Sequence, residues 1–218
     1  MIFTNNEGVV IIDNLIKVIQ DNKQYLSDID GLIGDGDHGI NMNKGFTLCR
    51  EALDANPGNL THGLNTLSKT LMMKIGGSMG PLYGKFFKAI AKSLEDNEVI
   101  GVAEFGDALK AVVEAIASIS PAKVGDKTLI DTLVPAVEAY QNAQNEGKTF
   151  SEVLECMKAA AIEGRDSTKD MLAKIGRASR LGERSRGVLD AGATSCCLIL
   201  CSMADTIKSL VISQLSNV

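Results

Sequence analysis

The segment Val9-Val10-Ile11-Ile12-Asp13-Asn14-Leu15-Ile16-Lys17-Val18-Ile19 decides the fold class. Val9, Ile12, Ile16 and Ile19 recur at intervals of three and four and share one helix face, and Ile11, Leu15 and Val18 widen the apolar stripe. The same period returns over residues 40–54, 60–75, 81–94, 103–118, 130–146, 150–172 and 192–214, which predicts eight helices. No β-alternation or hairpin signal separates them. Aromatic residues make up 4% of the chain and Trp is absent, so Ala, Leu, Ile and Met carry the packing, as in a helical bundle. The expected architecture is therefore all-α, an up-and-down bundle forming one domain over residues 1–218. Alternate loops of such a bundle emerge at the same end. Gly-rich or polar loops at 30–39, 76–80, 120–129 and 175–192 follow the first, third, fifth and seventh predicted helices, so all four converge on one candidate site.

The whole-chain properties bound what that site can hold. At 218 residues the chain can bury one sizeable core. A net charge of -5 argues against a nucleic-acid partner, which requires a basic face, but not against a nucleotide, because a bound cation reverses the local sign. The longest uncharged apolar stretch, between Asp190 and Asp205, is 14 residues, short of the roughly 20 needed to span a bilayer, and is read as a core helix. The N-terminal MIFTNNEGVVII has no basic region or small-residue cleavage site of a secretory signal. Cys49, Cys156, Cys196, Cys197 and Cys201 form no C-x-x-C pair and are odd in number, which points to free thiols in a reducing cytoplasm.

The first loop reads Asp30-Gly31-Leu32-Ile33-Gly34-Asp35-Gly36-Asp37-His38-Gly39-Ile40-Asn41. It contains G-x-G-x-x-G at Gly34, Gly36 and Gly39, but a dinucleotide fingerprint needs a preceding strand, and here acidic Asp35 and Asp37 would repel a pyrophosphate. An EF-hand starting at Asp28 or Asp35 lacks ligands at the required positions. What remains is D-x4-D-x-D in a glycine-rich turn before a helix. Two carboxylates about 4 Å apart repel by roughly 4 kcal/mol at an effective dielectric of 20, so three converging ones call for cations. Mg2+ takes a few carboxylates and fills its remaining positions with water and phosphate oxygens. Helix capping would account for one of the aspartates but not for three. His38 and Asn41 open the following helix, where backbone N–H groups favour an anion.

The other loops are less specific singly. Gly76-Gly77-Ser78-Met79-Gly80-Pro81 lets backbone approach a ligand, with Pro81 suited to a first helical position. Neither Gly80 to Lys85 nor Gly147-Lys148-Thr149 has the spacing and context of a P-loop. Gly125-Asp126-Lys127-Thr128-Leu129 is a turn in which Asp126 or Thr128 is the expected cap. The fourth loop carries Arg177, Arg180, Arg184 and Arg186 in an acidic protein, and Arg suits bidentate phosphate contacts. Acids on one loop and arginines on another favour a metal–phosphate ligand.

Taken in order, GDGDHGINMNKGF (34–46), GGSMGPLYG (76–84), GDKT (125–128), GRASRLGERS (176–185) and DAGATS (190–195) resemble the L subunit of bacterial dihydroxyacetone kinases and the C-terminal nucleotide-binding domain of single-chain dihydroxyacetone kinases. The resemblance spans essentially the whole chain. It implies an eight-helix antiparallel barrel with ADP or ATP at one end, and Asp30, Asp35 and Asp37 as ligands of two Mg2+ ions bridging the phosphates. It further implies that His38, Gly39, Ile40 and Asn41 line the phosphates, with Ser78, Met79 and Ser120 from neighbouring loops. Leu129 would pack near the base, Arg177 would reach the phosphates, and Asp190, Ala191 and Gly192 would close the pocket. Two departures stand out: many members have a small hydroxyl residue in place of Met79, and Asp190-Ala191-Gly192-Ala193 often reads D-P-G-A.

The implied function is phosphoryl transfer from Mg-nucleotide to dihydroxyacetone or another short ketose. The ketose is held through a histidine on a separate K subunit. A phosphohistidine on a third subunit, M, of the phosphotransferase system would recharge a retained ADP; exchange of free ATP is the alternative. A non-catalytic nucleotide-sensing subunit is a rival from another class, and a homodimer is left open.

Overall fold

The computed structural model describes residues 1–215. Among them, nine α-helices form eight rods: α1 (Val9–Asp21) with α2 (Lys23–Ile33), α3 (His38–Ala55), α4 (Leu60–Lys74), α5 (Met79–Ser93), α6 (Val102–Ala117), α7 (Ile130–Asn145), α8 (Phe150–Ser167) and α9 (Ala191–Leu215). The first rod is longer than the periodicity predicts and is broken at Asn22 (φ -103°, ψ 11°). Bonds from Asn22 N to Val18 O (3.2 Å) and from Leu26 N to Asn22 O (2.9 Å) carry the chain through the break. The eight-helix expectation thus holds as a rod count and misses one helix boundary, because helical hydrogen bonding runs through the single-residue break at Asn22.

Each rod packs on the next in sequence, and α9 closes the ring against α1 and α2. The interior holds Ile12, Leu15, Phe46, Leu67, Phe87, Leu109, Leu133, Leu154, Leu200 and Met203, all essentially inaccessible to water. Burying a large aliphatic side chain stabilises a fold by about 1.5–3 kcal/mol, so this seam dominates the energetics. The span Ala191–Ile212 of α9 is long and apolar enough to cross a membrane, yet it packs against α1, α7 and α8 as a core helix. Local chemistry sets the ends. Asn59 accepts from His62 N (3.0 Å) at the start of α4, and Thr149 and Glu152 form a reciprocal capping box on α8.

At the end of the barrel remote from the four loops, Phe3–Thr4 pairs antiparallel with Val99–Ile100. Two residues per strand are too few for an alternation signal, so the sequence does not announce the pair. Inside α7, Pro135 has no N–H to offer the Asp131 carbonyl. Helix α8 closes on that carbonyl at Gly164, where a Cβ would collide with it. This close packing fixes the first turn of α7, from which Asp131 serves the site.

Candidate functional site

The aspartate loop joins α2 to α3. Gly36 lies between Asp35 and Asp37 with φ +77°, a left-handed turn that a glycine adopts without strain. Gly39 lets the first turn of α3 lie against Lys23 O and Ser27, where any Cβ would clash. The result is convergence: Asp30, Asp35 and Asp37 each present a carboxylate oxygen within 4.8 Å of the others. Capping does not explain them. Asp37 occupies the N-cap position of α3 but its side chain makes no capping bond. The His38 N–H instead donates to Asp30 Oδ2 at 3.3 Å. The Gly39 and Ile40 N–H groups precede the first helical bond of α3, from Asn41 N to Asp37 O (2.9 Å), so helix geometry leaves them for a ligand. An oxygen-only, partly solvated trio with spare coordination directions suits Mg2+.

The fourth loop reaches this cluster directly, because the Arg177 guanidinium pairs with the Asp35 carboxylate. Arg177 lies in 3-10 turns over Arg177–Ser185, broken at Gly182 (φ 55°). Helices α5 and α9 reach it through His38. His38 Nε2 lies 2.9 Å from Ser195 Oγ, and Tyr83 OH lies 2.5 Å from the same oxygen. Tyr83 OH and Ser195 Oγ are also within reach of Gly192 O, at 3.2 and 3.1 Å. Burial lowers the His38 pKa to about 4, so the ring is neutral at pH 7 and acts as a hydrogen-bonding group rather than a cation.

The third loop meets the start of α9. Leu129 lies beside Gly192, where an added Cβ would stand 3.6 Å from Leu129 N and 3.1 Å from Asp190 Oδ2. Asp190 caps α9 by accepting from Ala193 N at 2.7 Å. Burial raises its pKa to about 6, against the opposing pull of that bond and of Lys127.

Known proteins resemble this chain along most of its length. The DAK2 domain family matches residues 32–205. The chain is 40% identical over 189 residues to the ADP-binding subunit DhaL of PEP-dependent dihydroxyacetone kinase 1 from Listeria innocua, covering 86% of this chain and 89% of that protein. The chain belongs to the DAK2 family. The ADP-binding subunit DhaL of the PTS-dependent dihydroxyacetone kinase of Lactococcus lactis is 39% identical over 81% of this chain and 84% of its own length. The dihydroxyacetone kinase of C. freundii superposes with a TM-score of 0.69 at 24% identity, over 89% of this chain and 33% of that one. This DAK2 chain therefore shares the fold of about a third of that longer kinase.

In this DAK2 domain the structure joins Asp30, Asp35, Asp37, His38 and Arg177 at one place, and Leu129, Asp190 and Gly192 beside it. Ala191 is buried at the first position of α9. Ile40 is exposed on the first turn of α3. Ser78 is exposed and makes no cap bond. Met79 packs its side chain against the core. Ser120 Oγ accepts from Ala122 N (3.2 Å) within its own turn and meets none of the other expected residues.

Two local expectations need correction. Pro81 is the third residue of α5 rather than its first, because the helix begins at Met79. Neither Asp126 nor Thr128 is the N-cap of α7. Asp131, one turn on, instead accepts from Gly125 N (2.5 Å) and Thr128 N (2.7 Å). Arg177, expected at the phosphates, pairs with Asp35 in this structure. Sequence reasoning also passed over Tyr83, Ser195, Lys127 and Asp131. The first three stand inside the quoted motifs, and a buried-network role was the signal that spacing could not supply.

Proposed function

We propose that the chain, acting over residues 1–218 as one domain, is the cytoplasmic ADP-binding subunit of a phosphoenolpyruvate-dependent dihydroxyacetone kinase. The observation that carries the reading is the Asp30–Asp35–Asp37 convergence at the N-terminus of α3, in a chain 40% identical to an ADP-binding subunit over nearly the whole of both. Asp30, Asp35 and Asp37 hold two Mg2+ ions, which when bound neutralise charge on the nucleotide phosphates and so favour phosphoryl transfer.

The first turn of α3 directs the Gly39 and Ile40 N–H groups at a phosphate, and Arg177 moves from Asp35 to a phosphate oxygen. Neutral His38, fixed by Ser195 and Tyr83, adds a directed hydrogen bond without drawing the aspartates into an ion pair. Leu129 and Gly192 wall the base side. Relatives named as ADP-binding subunits support a division of labour in which the ketose is held on a separate K subunit, and a phosphohistidine M subunit recharges the nucleotide.

The test is to desalt the purified chain, denature it and identify any released small molecule. Stoichiometric ADP supports the coenzyme reading. Phosphorylation of dihydroxyacetone should then require K and M subunits together with a phosphoenolpyruvate-driven donor. Release of nothing, with no Mg2+-dependent binding of ADP or ATP, refutes it.

A further inference from the structure

We propose that Lys127 is a positioning residue, whose buried ammonium ties the neck of the arginine segment and thereby holds Arg177 over the aspartate cluster. The proposal rests on the Mg-nucleotide reading of that cluster.

Lys127 is 1% exposed, which is unusual for a lysine, and it is the one non-glycine residue among those described with a left-handed backbone, φ 63°. That conformation is imposed by its surroundings. The Asp131 carboxylate takes the N–H groups of Gly125 and Thr128 on either side, which turns the intervening chain inward. The Lys127 Nζ then meets Ser185 O and Val188 O, both at 2.6 Å, and Met171 O at 3.4 Å. An ammonium has three N–H donors and no acceptor, so three carbonyls from separate places on the chain satisfy it completely. An apolar side chain of the same length would leave those carbonyls without a donor.

The three acceptors bracket the arginine segment. Met171 stands before it; Ser185 and Val188 stand at its end. Further bonds close the same neck: Ala173 N donates to Ser185 Oγ (3.0 Å), and Gly187 N donates to Lys169 O (2.7 Å). Beyond the neck the segment runs over the surface, touching α2. Gly176 and Gly187 turn it with positive φ, and Arg177, Arg180 and Arg184 are all exposed. Apart from the contact with α2 and the Arg177–Asp35 pair little holds this tip, so the neck limits where Arg177 can reach. Lys127 thus acts on the phosphate end of the site without touching it.

The experiment is a double-mutant cycle read as the Kd for Mg-ADP in wild type, Lys127→Met, Arg177→Ala and the double variant. Lys127→Met should raise Kd on the order of tenfold, and should add nothing once Arg177 is gone. A merely structural lysine would lower the melting temperature, yet its effect on Kd would be absent or would multiply with that of Arg177→Ala; either result overturns the proposal. If Lys127→Met does not fold, Asp131→Asn loosens the turn that aims Lys127 and should show a smaller loss with the same dependence on Arg177. Hydrogen exchange supplies an independent arm: amides of residues 177–184 should exchange faster in the variant, and unchanged exchange would count against a clamp. Failure of the wild-type chain to bind Mg-ADP would overturn the functional reading and this proposal with it, whereas a wild-type-like Lys127→Met overturns this proposal alone.

Discussion

Replacing Asp37 by Asn should stabilise the metal-free protein while removing its response to Mg-ADP. The carboxylate oxygens of Asp30, Asp35 and Asp37 lie within 4.8 Å of one another. At that separation a pair repels by about 3–4 kcal/mol at an effective dielectric of 20, and by about 1 kcal/mol under water-like screening. The Asp35 side chain is 46% exposed and already offset by Arg177, so the screened limit is the better guide. Asp37 faces two such neighbours, has no capping bond to lose, and its neutralisation should return about 1–2 kcal/mol.

For a domain of this size that corresponds to a rise of roughly 2–8 °C in melting temperature. The assay is thermal or urea unfolding of EDTA-treated protein, repeated with saturating Mg-ADP. Mg-ADP should raise the wild-type melting temperature by linkage and leave that of the variant unmoved. A helix-terminal carboxylate has the opposite sign: Asn caps as well as Asp, and losing a negative charge at a helix N-terminus costs about 0.3–1 kcal/mol. An Asp37→Asn protein no more stable than wild type without metal would therefore refute the mutual-repulsion argument.

Tyr83→Phe keeps the ring against Phe86 and Phe87 but removes the hydroxyl that joins Ser195 and Gly192. It should cost about 1–2 kcal/mol in urea unfolding; a neutral result would mean that the His38–Ser195–Tyr83 chain holds nothing in place. The pH dependence follows from His38, whose folded pKa of about 4 is below the ordinary 6.5. Its contribution is complete above about pH 6.5 and is lost as pH falls toward 4, by up to about 3 kcal/mol. Asp190, raised from 3.8 to about 6, runs the other way, its contribution being complete below 3.8 and lost as pH rises through 6. Subtracting the unfolding profile of His38→Gln from that of wild type should isolate the first slope, and parallel profiles between pH 4 and 6.5 would refute burial as the cause.

Sequence periodicity was sufficient for the barrel because every rod buries one face, and the face is written at three- and four-residue spacing. It failed at Asn22, where a break of one residue leaves no compositional trace, and at the two-residue strands. The aspartate cluster was legible for a different reason: three carboxylates in a glycine-rich turn have few explanations once capping is limited to one of them. Buried polar partners were not legible. Nothing about the letters of Ser195 or Tyr83 says that Tyr83 meets Ser195, 112 residues further along the chain, or that Ser195 in turn meets His38. Lys127 reads as an ordinary turn lysine until the three carbonyls around it are seen. Networks of this kind depend on where separate segments arrive, which local pattern does not encode.

The Arg177–Asp35 pair links these two levels, since in the proposed function one carboxylate would serve two cations. The guanidinium carries one positive charge to an oxygen that a divalent ion would also take, so Arg177 and Mg2+ compete when no phosphate is present. With a nucleotide bound, the proposed competition would become cooperation, because the phosphates would give Arg177 a bidentate partner of its own and release Asp35 to the metal. Arg177→Ala should therefore act with opposite signs on two measurements. It should strengthen binding of Mg2+ alone, as the aspartates lose their internal counter-ion, and weaken binding of Mg-ADP, as the phosphates lose a contact. Calorimetric titration of each ligand into the stripped protein distinguishes the outcomes. If both affinities fall together, Arg177 supports the loop without exchanging partners, and the movement from carboxylate to phosphate does not occur.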